Sequence, residues 1–209
     1  WSNSLFEDNA EFGLGMRLAS DQLMSYAMQL TQEMAAEIGG DLAEALLGAD
    51  QRQEAGIRAQ RERVAALLQK LAASRHPRAQ DLASLAEWLV RRSVWIIGGD
   101  GWAYDIGYGG LDHILALSYD VNILVLDTEV YSNTGGQSST GTFRGQGTKM
   151  SPFGKAEMGK SEARKEVANI AMMHPNVYVA QTTAAHMNHF YRAVMEANAY
   201  EGPALISVY

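Results

Sequence analysis

From Ser93 onward the chain alternates between short apolar runs and stretches of helix-like spacing: SVWII, Trp102 to Ser118, VNILVLD, Glu162 to Met173, NVYVA, Ala184 to Ala199, then ALISVY. Strand period giving way to helix period, over and over, is the grammar of β-α-β units. The runs carry few alternating polar residues, so each strand needs cover on both faces, which is the condition of a parallel sheet. Such crossovers are right-handed almost without exception, and the ligands of these sheets sit beyond the carboxyl ends of the strands. The expected fold class is α/β, a mostly parallel sheet with helices on both faces, over residues 93–209.

Residues 1–92 read as a helical arm and lead-in. Leu14, Leu18, Leu23, Tyr26, Met28, Leu30 and Met34 predict one helix from Phe12 to Ile38, with Gly39-Gly40 as its stop. Ile57, Val64, Leu67, Leu68 and Leu71 predict a second, and Leu82, Leu85, Trp88 and Leu89, after Pro77, a third. The stretch QRQEAGIRAQRER is interrupted by Glu and reads as a solvated helix face.

Composition removes several function classes. Lys+Arg number 17 against 24 Asp+Glu, a net charge of −7 with no dense basic patch, which disfavours nucleic acid. No apolar run is long enough to cross a bilayer, so no membrane role is expected. The absence of Cys rules out disulfides, thiolate metal sites and a cysteine nucleophile within these residues, and matches a reducing cytoplasm. The chain opens on Trp1 and closes at Tyr209 inside an apolar run, so it is expected to be a piece of a longer protein.

The segment WIIGGDGWAYDIGYGG holds the main chemical clue. A glycine turn between strand and helix presents backbone N–H groups at the positive end of the helix, where phosphate binds. The dinucleotide fingerprint G-x-G-x-x-G fails here, because Tyr104 stands in place of the third glycine and Asp100 sits between the first two. A bare carboxylate repels a diphosphate. A divalent cation between them removes the conflict, since Mg²⁺ takes six oxygens at about 2.1 Å and commonly bridges protein oxygens to phosphates.

Further oxygen ligands must then come from a neighbouring strand end. VNILVLD runs into TEVYSNTGGQ, and Thr128 lies 28 positions past Asp100, enough for a helix and a strand to return the chain to the same sheet edge. Taken alone, Gly-Asp-Gly and Asn133-Thr-Gly-Gly also suit plain turns, and Asp127 on a ribose suits a nucleotide-binding regulatory domain. Beyond lies Tyr131 to Lys160, rich in Gly, Ser and Thr, a length of loop that is usually functional or disordered.

GDG followed after roughly thirty residues by a strand ending in Asn resembles the diphosphate-binding signature of thiamine diphosphate enzymes. The longer match, GGDGWAYDIGYGGLDH with LVLDTEVYSNTGGQSS, resembles the 2-oxoacid:ferredoxin oxidoreductases, in particular those acting on pyruvate; the lead-in NSLFEDNAEFG at residues 3–13 adds to it. Strong similarity covers residues 93–139, and TFRGQGTKMSPFGK and QTTAAHMNHF depart from the pattern.

The resemblance implies that Asp100, Thr128 and, through its carbonyl, Val130 ligate Mg²⁺. It implies that Gly99, Gly101 and Trp102 line the diphosphate, and that the run Thr128, Glu129, Val130, Tyr131, Ser132 and Asn133 lies against the cofactor, with Asn133 also facing the substrate as the catalytic residue. A carboxylate, a hydroxyl and a main-chain oxygen are hard ligands, in agreement with Mg²⁺. By the same resemblance the activity is oxidative decarboxylation of a 2-oxoacid to acyl-coenzyme A. Electrons pass to iron–sulfur clusters elsewhere in the parent protein and on to ferredoxin or flavodoxin, and the assembly is a homodimer that uses the remaining domains of the same chain. Other thiamine enzymes, a decarboxylase or a transketolase, are the alternative within that chemistry.

His186 and His189, three apart on an expected helix, share a face and are a candidate metal pair without an evident acidic partner. His113 is expected to be packed or solvent-facing. The ten Met residues are expected to fill core.

Overall fold

The computed structural model describes residues 7–156 and 158–209; residues 3–6 of the lead-in and Glu157 of the long loop lie outside the described residues. The chain divides into two compact units, one made of the residues through Arg17 together with Ser93–Tyr209, the other of Leu18–Arg92.

In the sheet unit, β1 (Trp95–Gly98), β2 (Asn122–Leu126), β5 (Tyr178–Thr182) and β6 (Ala204–Val208) form one parallel sheet in the order β1-β2-β6-β5. The helices that follow these strands are α6 (Tyr108–Ala116), α7 (Val167–Ala171) and α8 (Met187–Ala199). All five residues of β6 are buried, and they alternate between two cores. Leu205 packs with Ile96, Ile123, Leu111, Ile114 and Val167, while Ala204, Ile206 and Val208 pack with Ala193 and Ala197 of α8. Helices therefore cover both faces, and each fully buried Leu or Ile contributes about 1.5 to 3 kcal/mol relative to exposure. This is the α/β architecture that the apolar runs imply.

The register matters for function. Gly98 pairs with Val125 and Leu126 with Val208, so the carboxyl ends of β1 and β2 open side by side. Asp100 and Thr128 each lie two residues beyond the end of their strand.

Several expected elements shift, each for a local reason. The helix expected from Trp102 instead opens as a π-helical turn, Gly101–Asp105, before α6 begins at Tyr108. The helix expected from Glu162 begins only at Val167, because the residues before it turn their side chains inward: Arg164 to Asp127 and Lys165 to the Tyr104 carbonyl. The long loop contains a hairpin of β3 (Val130–Tyr131) with β4 (Gln137–Ser138), and the Lys160 ammonium donates to the carbonyls of Thr142 at 2.7 Å and Thr140 at 3.2 Å.

The chain's first described residues also pack on this unit, although the sequence pattern joins them to the helical arm. Asn9 donates its amide to the Ile97 carbonyl at 2.9 Å, Ala10 is fully buried, and a Cβ on Gly13 would lie 2.3 Å from Ile96.

The helix α1 (Asn9–Glu33), which enters the helical unit at Leu18, breaks at Met34 rather than running to Ile38, and α2 (Ala35–Ile38) ends at Gly39 with φ +93°. The Thr31 hydroxyl donates back to the Ala27 carbonyl at 2.8 Å, a bond that bends helices. Then come α3 (Gly40–Leu47), α4 (Glu54–Ala73) and α5 (Ala79–Leu85), around a core of Leu30, Met34, Ile38, Leu67 and Leu82. The Arg-rich stretch of α4 is solvated at Arg58 and Arg61, except that Gln60 is buried and donates its amide to the carbonyls of Leu46 and Leu89. Methionine departs from the expectation of core filler: Met34 is buried, yet Met150 and Met158 on the long loop, Met172 and Met173 just past α7, and Met187 and Met195 on α8 are exposed. No helix among the described residues is long and apolar enough to cross a membrane.

Candidate functional site

The Gly-Asp-Gly turn meets the segment after β2 through Asp100. Its Oδ2 accepts from the Thr128 N–H at 3.0 Å and from the Thr128 hydroxyl at 2.8 Å. That hydroxyl also lies 3.1 Å from the Val130 carbonyl and 2.5 Å from the Ser132 hydroxyl. A hydroxyl has one proton, so Thr128 cannot donate to Asp100 and Val130 at once, and lone pairs are left facing one another. Burial raises the Asp100 carboxyl above its ordinary value, against the two Thr128 bonds that lower it. A cation among these oxygens would relieve both stresses. The donor set is one carboxylate, one hydroxyl and one carbonyl, all hard oxygen, and no group of three or more His, Cys, Asp or Glu able to hold a metal exists among the described residues.

Backbone conformation brings the ligands together. Glu129 has φ +65°, the one non-glycine residue with positive φ among the described residues. That kink lies between Thr128 and Val130 and folds the second carbonyl back beside the first hydroxyl. The Glu129 carbonyl itself accepts from the Thr142 hydroxyl. Left-handed backbone at a non-glycine residue costs about 1 to 3 kcal/mol and gathers at functional sites.

A cavity of about 500 Å³ opens here, lined by Gly99, Asp100, Gly101, Trp102, Ile106, Leu126, Thr128, Val130, Tyr131, Ser132, Asn133 and Thr134. Of the residues expected from the sequence, Glu129 alone is not in the lining; its carboxylate lies 3.6 Å from Arg164. Gly99 leaves the floor open, since a Cβ there would have only the Leu126 carbonyl, at 3.8 Å, within 4 Å. The opening N–H groups of a helix have no partner inside it, so those of Gly101 and Trp102 are available to an anion. The Trp102 ring is buried against Gly98, where a Cβ would lie 2.4 Å away. A diphosphate at the helix end and a divalent cation at Asp100 both fit these residues.

Three groups without a sequence signal support the site. Ser139 Oγ lies 3.5 Å from the other Asp100 oxygen. Asp105 accepts from the Tyr131 hydroxyl at 2.5 Å and from the Thr140 N–H at 3.2 Å. Arg164, with a 5% exposed side chain, donates to Asp127 at 2.7 Å and to the hydroxyls of Tyr104 and Tyr209. The Asp127 side chain is wholly buried, which removes it from any ribose and with it the basis of the nucleotide reading. Burial and the bond to Asp127 both push the Tyr104 phenol well above its ordinary value.

The histidines lie elsewhere. The His186 ring accepts from the His189 N–H at 3.2 Å, capping α8, and His189 Nδ1 is 2.9 Å from the Thr182 hydroxyl. His186 is spent on helix capping and His189 on Thr182, and among the described residues the pair belongs to no group of three or more His, Cys, Asp or Glu that could hold a metal. His113 is exposed on α6, as expected.

A family model described as thiamine pyrophosphate enzyme, C-terminal TPP binding domain, matches residues 79–208. The chain is 53% identical over 214 residues to a pyruvate-flavodoxin oxidoreductase of Trichormus variabilis, covering all of this chain and 18% of that protein. It is 50% identical over 210 residues to a probable pyruvate-flavodoxin oxidoreductase of Escherichia coli, covering 17% of it, and 42% identical over 225 residues to a pyruvate:ferredoxin oxidoreductase of Moorella thermoacetica, covering 18%. Each alignment takes in the whole of this chain, which spans less than a fifth of these relatives' length. Among solved structures, a 2-oxoglutarate:ferredoxin oxidoreductase from Magnetococcus marinus, with 2-oxoglutarate, coenzyme A and succinyl-CoA bound, shares the fold at a TM-score of 0.50 and 23% identity, over 64% of this chain and 44% of that one. Site geometry and matched segment coincide, and the chain belongs to the thiamine pyrophosphate enzymes, whose C-terminal cofactor-binding domain it carries.

Proposed function

We propose that this chain holds the diphosphate end of thiamine diphosphate, with Mg²⁺, in an oxidoreductase that decarboxylates a 2-oxoacid, pyruvate by its relatives' names. The observation that carries the reading is the oxygen cluster of Asp100, Thr128 and Val130 at the mouth of adjacent parallel strands. Those three would ligate the cation. The N–H groups of Gly101 and Trp102 would take the diphosphate, and Ser132 and Asn133 would face the rest of the cofactor. When bound, thiamine diphosphate supplies a nucleophilic thiazolium carbon and an electron sink for decarboxylation. Asn133, in the cavity lining and able both to donate and to accept, is the residue assigned to the substrate side.

Coenzyme A is the proposed acyl acceptor, and flavodoxin or ferredoxin the proposed electron partner, reached through iron–sulfur clusters in other domains of a cytoplasmic homodimer. This chain has no cysteine to ligate such clusters. The relatives described above are 2-oxoacid oxidoreductases, which favours that class over a decarboxylase or a transketolase. The test is thermal unfolding of the full-length protein with thiamine diphosphate or a nucleotide, each with and without Mg²⁺, since a ligand selective for the native state raises the midpoint by mass action. A rise with thiamine diphosphate that needs Mg²⁺ supports the reading; a rise with the nucleotide alone overturns it.

A further inference from the structure

Both ends of the π-helical turn carry a carboxylate, and both grip the same segment. Asp100, at the entrance, holds Thr128 through its N–H and hydroxyl. Asp105, at the exit, holds Tyr131 through the phenol at 2.5 Å. Between the two grips lie Glu129, with its left-handed backbone, and Val130, whose carbonyl belongs to the proposed ligand set. The second grip is braced from behind: the Thr140 N–H donates to the same Asp105 oxygen at 3.2 Å, the Thr140 hydroxyl donates to the Tyr104 carbonyl at 3.0 Å, and the Lys165 N–H donates to the Thr140 carbonyl at 2.8 Å. Tyr131 also pairs across the hairpin with Gln137, so its main chain is tied on one side and its phenol on the other.

The two grips differ in what a cation does to them. Asp100 is itself in the proposed ligand set, so its oxygens must turn from Thr128 toward the metal as the site fills. Asp105 is not in that set, and its bond to Tyr131 can persist throughout. We propose that Asp105 is a positioning residue which, through the Tyr131 hydroxyl, keeps the Val130 carbonyl aimed at the cation while Asp100 changes partners. This rests on the proposed Mg²⁺-dependent cofactor site and adds to it a group that touches neither metal nor cofactor. A charge-assisted bond at this distance is among the stronger kinds, and preorganised ligands bind without the cost of ordering the segment that carries them.

The test measures the Mg²⁺ dissociation constant of the full-length protein by calorimetry at saturating thiamine diphosphate, beside the thermal midpoint without ligands. Asp105→Ala and Tyr131→Phe are each expected to weaken Mg²⁺ binding about tenfold, and the double variant no further than Asp105→Ala alone, because the bond that Tyr131→Phe removes is already lost in it. Asp105→Asn, which keeps an acceptor, is expected to restore most of the affinity lost in Asp105→Ala. Unaltered Mg²⁺ affinity in both single variants overturns the proposal. So does a double variant whose loss is the sum of the singles, or an Asp105→Asn that binds no better than Asp105→Ala. Affinity that merely tracks the fall in ligand-free midpoint, without rescue by Asn, marks Asp105 as structural only and also overturns it. Absence of Mg²⁺-dependent binding in the wild type contradicts the cofactor site itself, a result distinct from all of these.

Discussion

Arg164 donates to Asp127 at 2.7 Å, with side-chain exposures of 5% and 0%, and so ties the residue after the long loop to the end of β2, one position before Thr128. The guanidinium also stacks on the Phe143 ring, 4.6 Å from its centroid, and lies 5.2 Å from that of Tyr209. Removing one member of a buried pair strands the other charge, whereas removing both leaves mainly a packing defect.

Arg164→Met is therefore expected to destabilise the fold by about 3 to 5 kcal/mol. Arg164→Met with Asp127→Leu is expected to cost clearly less than Arg164→Met alone. Urea unfolding monitored by circular dichroism reads both, and equal losses would contradict the assignment of a buried ion pair.

Glu129→Gly relieves the positive φ at the kink, so stability is expected to be unchanged or to rise by up to about 1 kcal/mol. Glu129→Val, branched at Cβ, is expected to lose stability and to weaken cofactor binding together. Unfolding midpoints for the two variants decide, and a Val variant as stable as Gly would mean that the kink carries no strain.

Tyr131 gives a pH dependence whose sign is fixed. Burial, and after it the bond to Asp105, pushes the phenol up to about 12, above its ordinary value of 10.0. The native state favours the neutral phenol, so its contribution to stability is complete below the unfolded value near pH 10 and is lost as pH rises through about 12. The ultraviolet difference titration of wild type minus Tyr131→Phe should show one tyrosinate forming late; a component centred at 10 would contradict the bond.

Gly98→Ala places a Cβ where the Trp102 ring now sits, 2.4 Å from Cε3. Overpacking of this kind costs about 1 to 3 kcal/mol, and because Trp102 lines the cavity the affinity for thiamine diphosphate should fall as well. Denaturant unfolding and calorimetry check the two halves; normal affinity would show that the indole is not part of the cradle.

The pairing of Asp100 with Thr128 was legible because adjacent parallel strands open side by side, so residues just past each strand end must meet. The alternation of Leu205 and Ile206 between two cores follows from the strand period in the same way. Asp105, Arg164 and Lys160 were not legible, since each finds its partner by the return of a long segment without periodicity, and no spacing encodes where such a segment lands. Tertiary bonds also override local propensity around Arg164 and Lys165, which is why α7 starts later than its helix-like pattern. Asp127 shows the opposite hazard: a carboxylate at a strand end suggests a ligand contact, and its ion pair with Arg164 places it in the core instead.

The most direct test of the cofactor site is Asp100→Ala, followed by calorimetric titration of thiamine diphosphate in the presence and absence of Mg²⁺, with circular dichroism to confirm the fold. The expected result is a native spectrum with Mg²⁺-dependent binding abolished, since the buried Asp100 carboxylate bonds to Thr128 and Ser139 rather than packing in the apolar core, and among the described residues it is the one carboxylate in the cavity lining. A folded Asp100→Ala protein that binds thiamine diphosphate with the same affinity and the same Mg²⁺ requirement as wild type would contradict it.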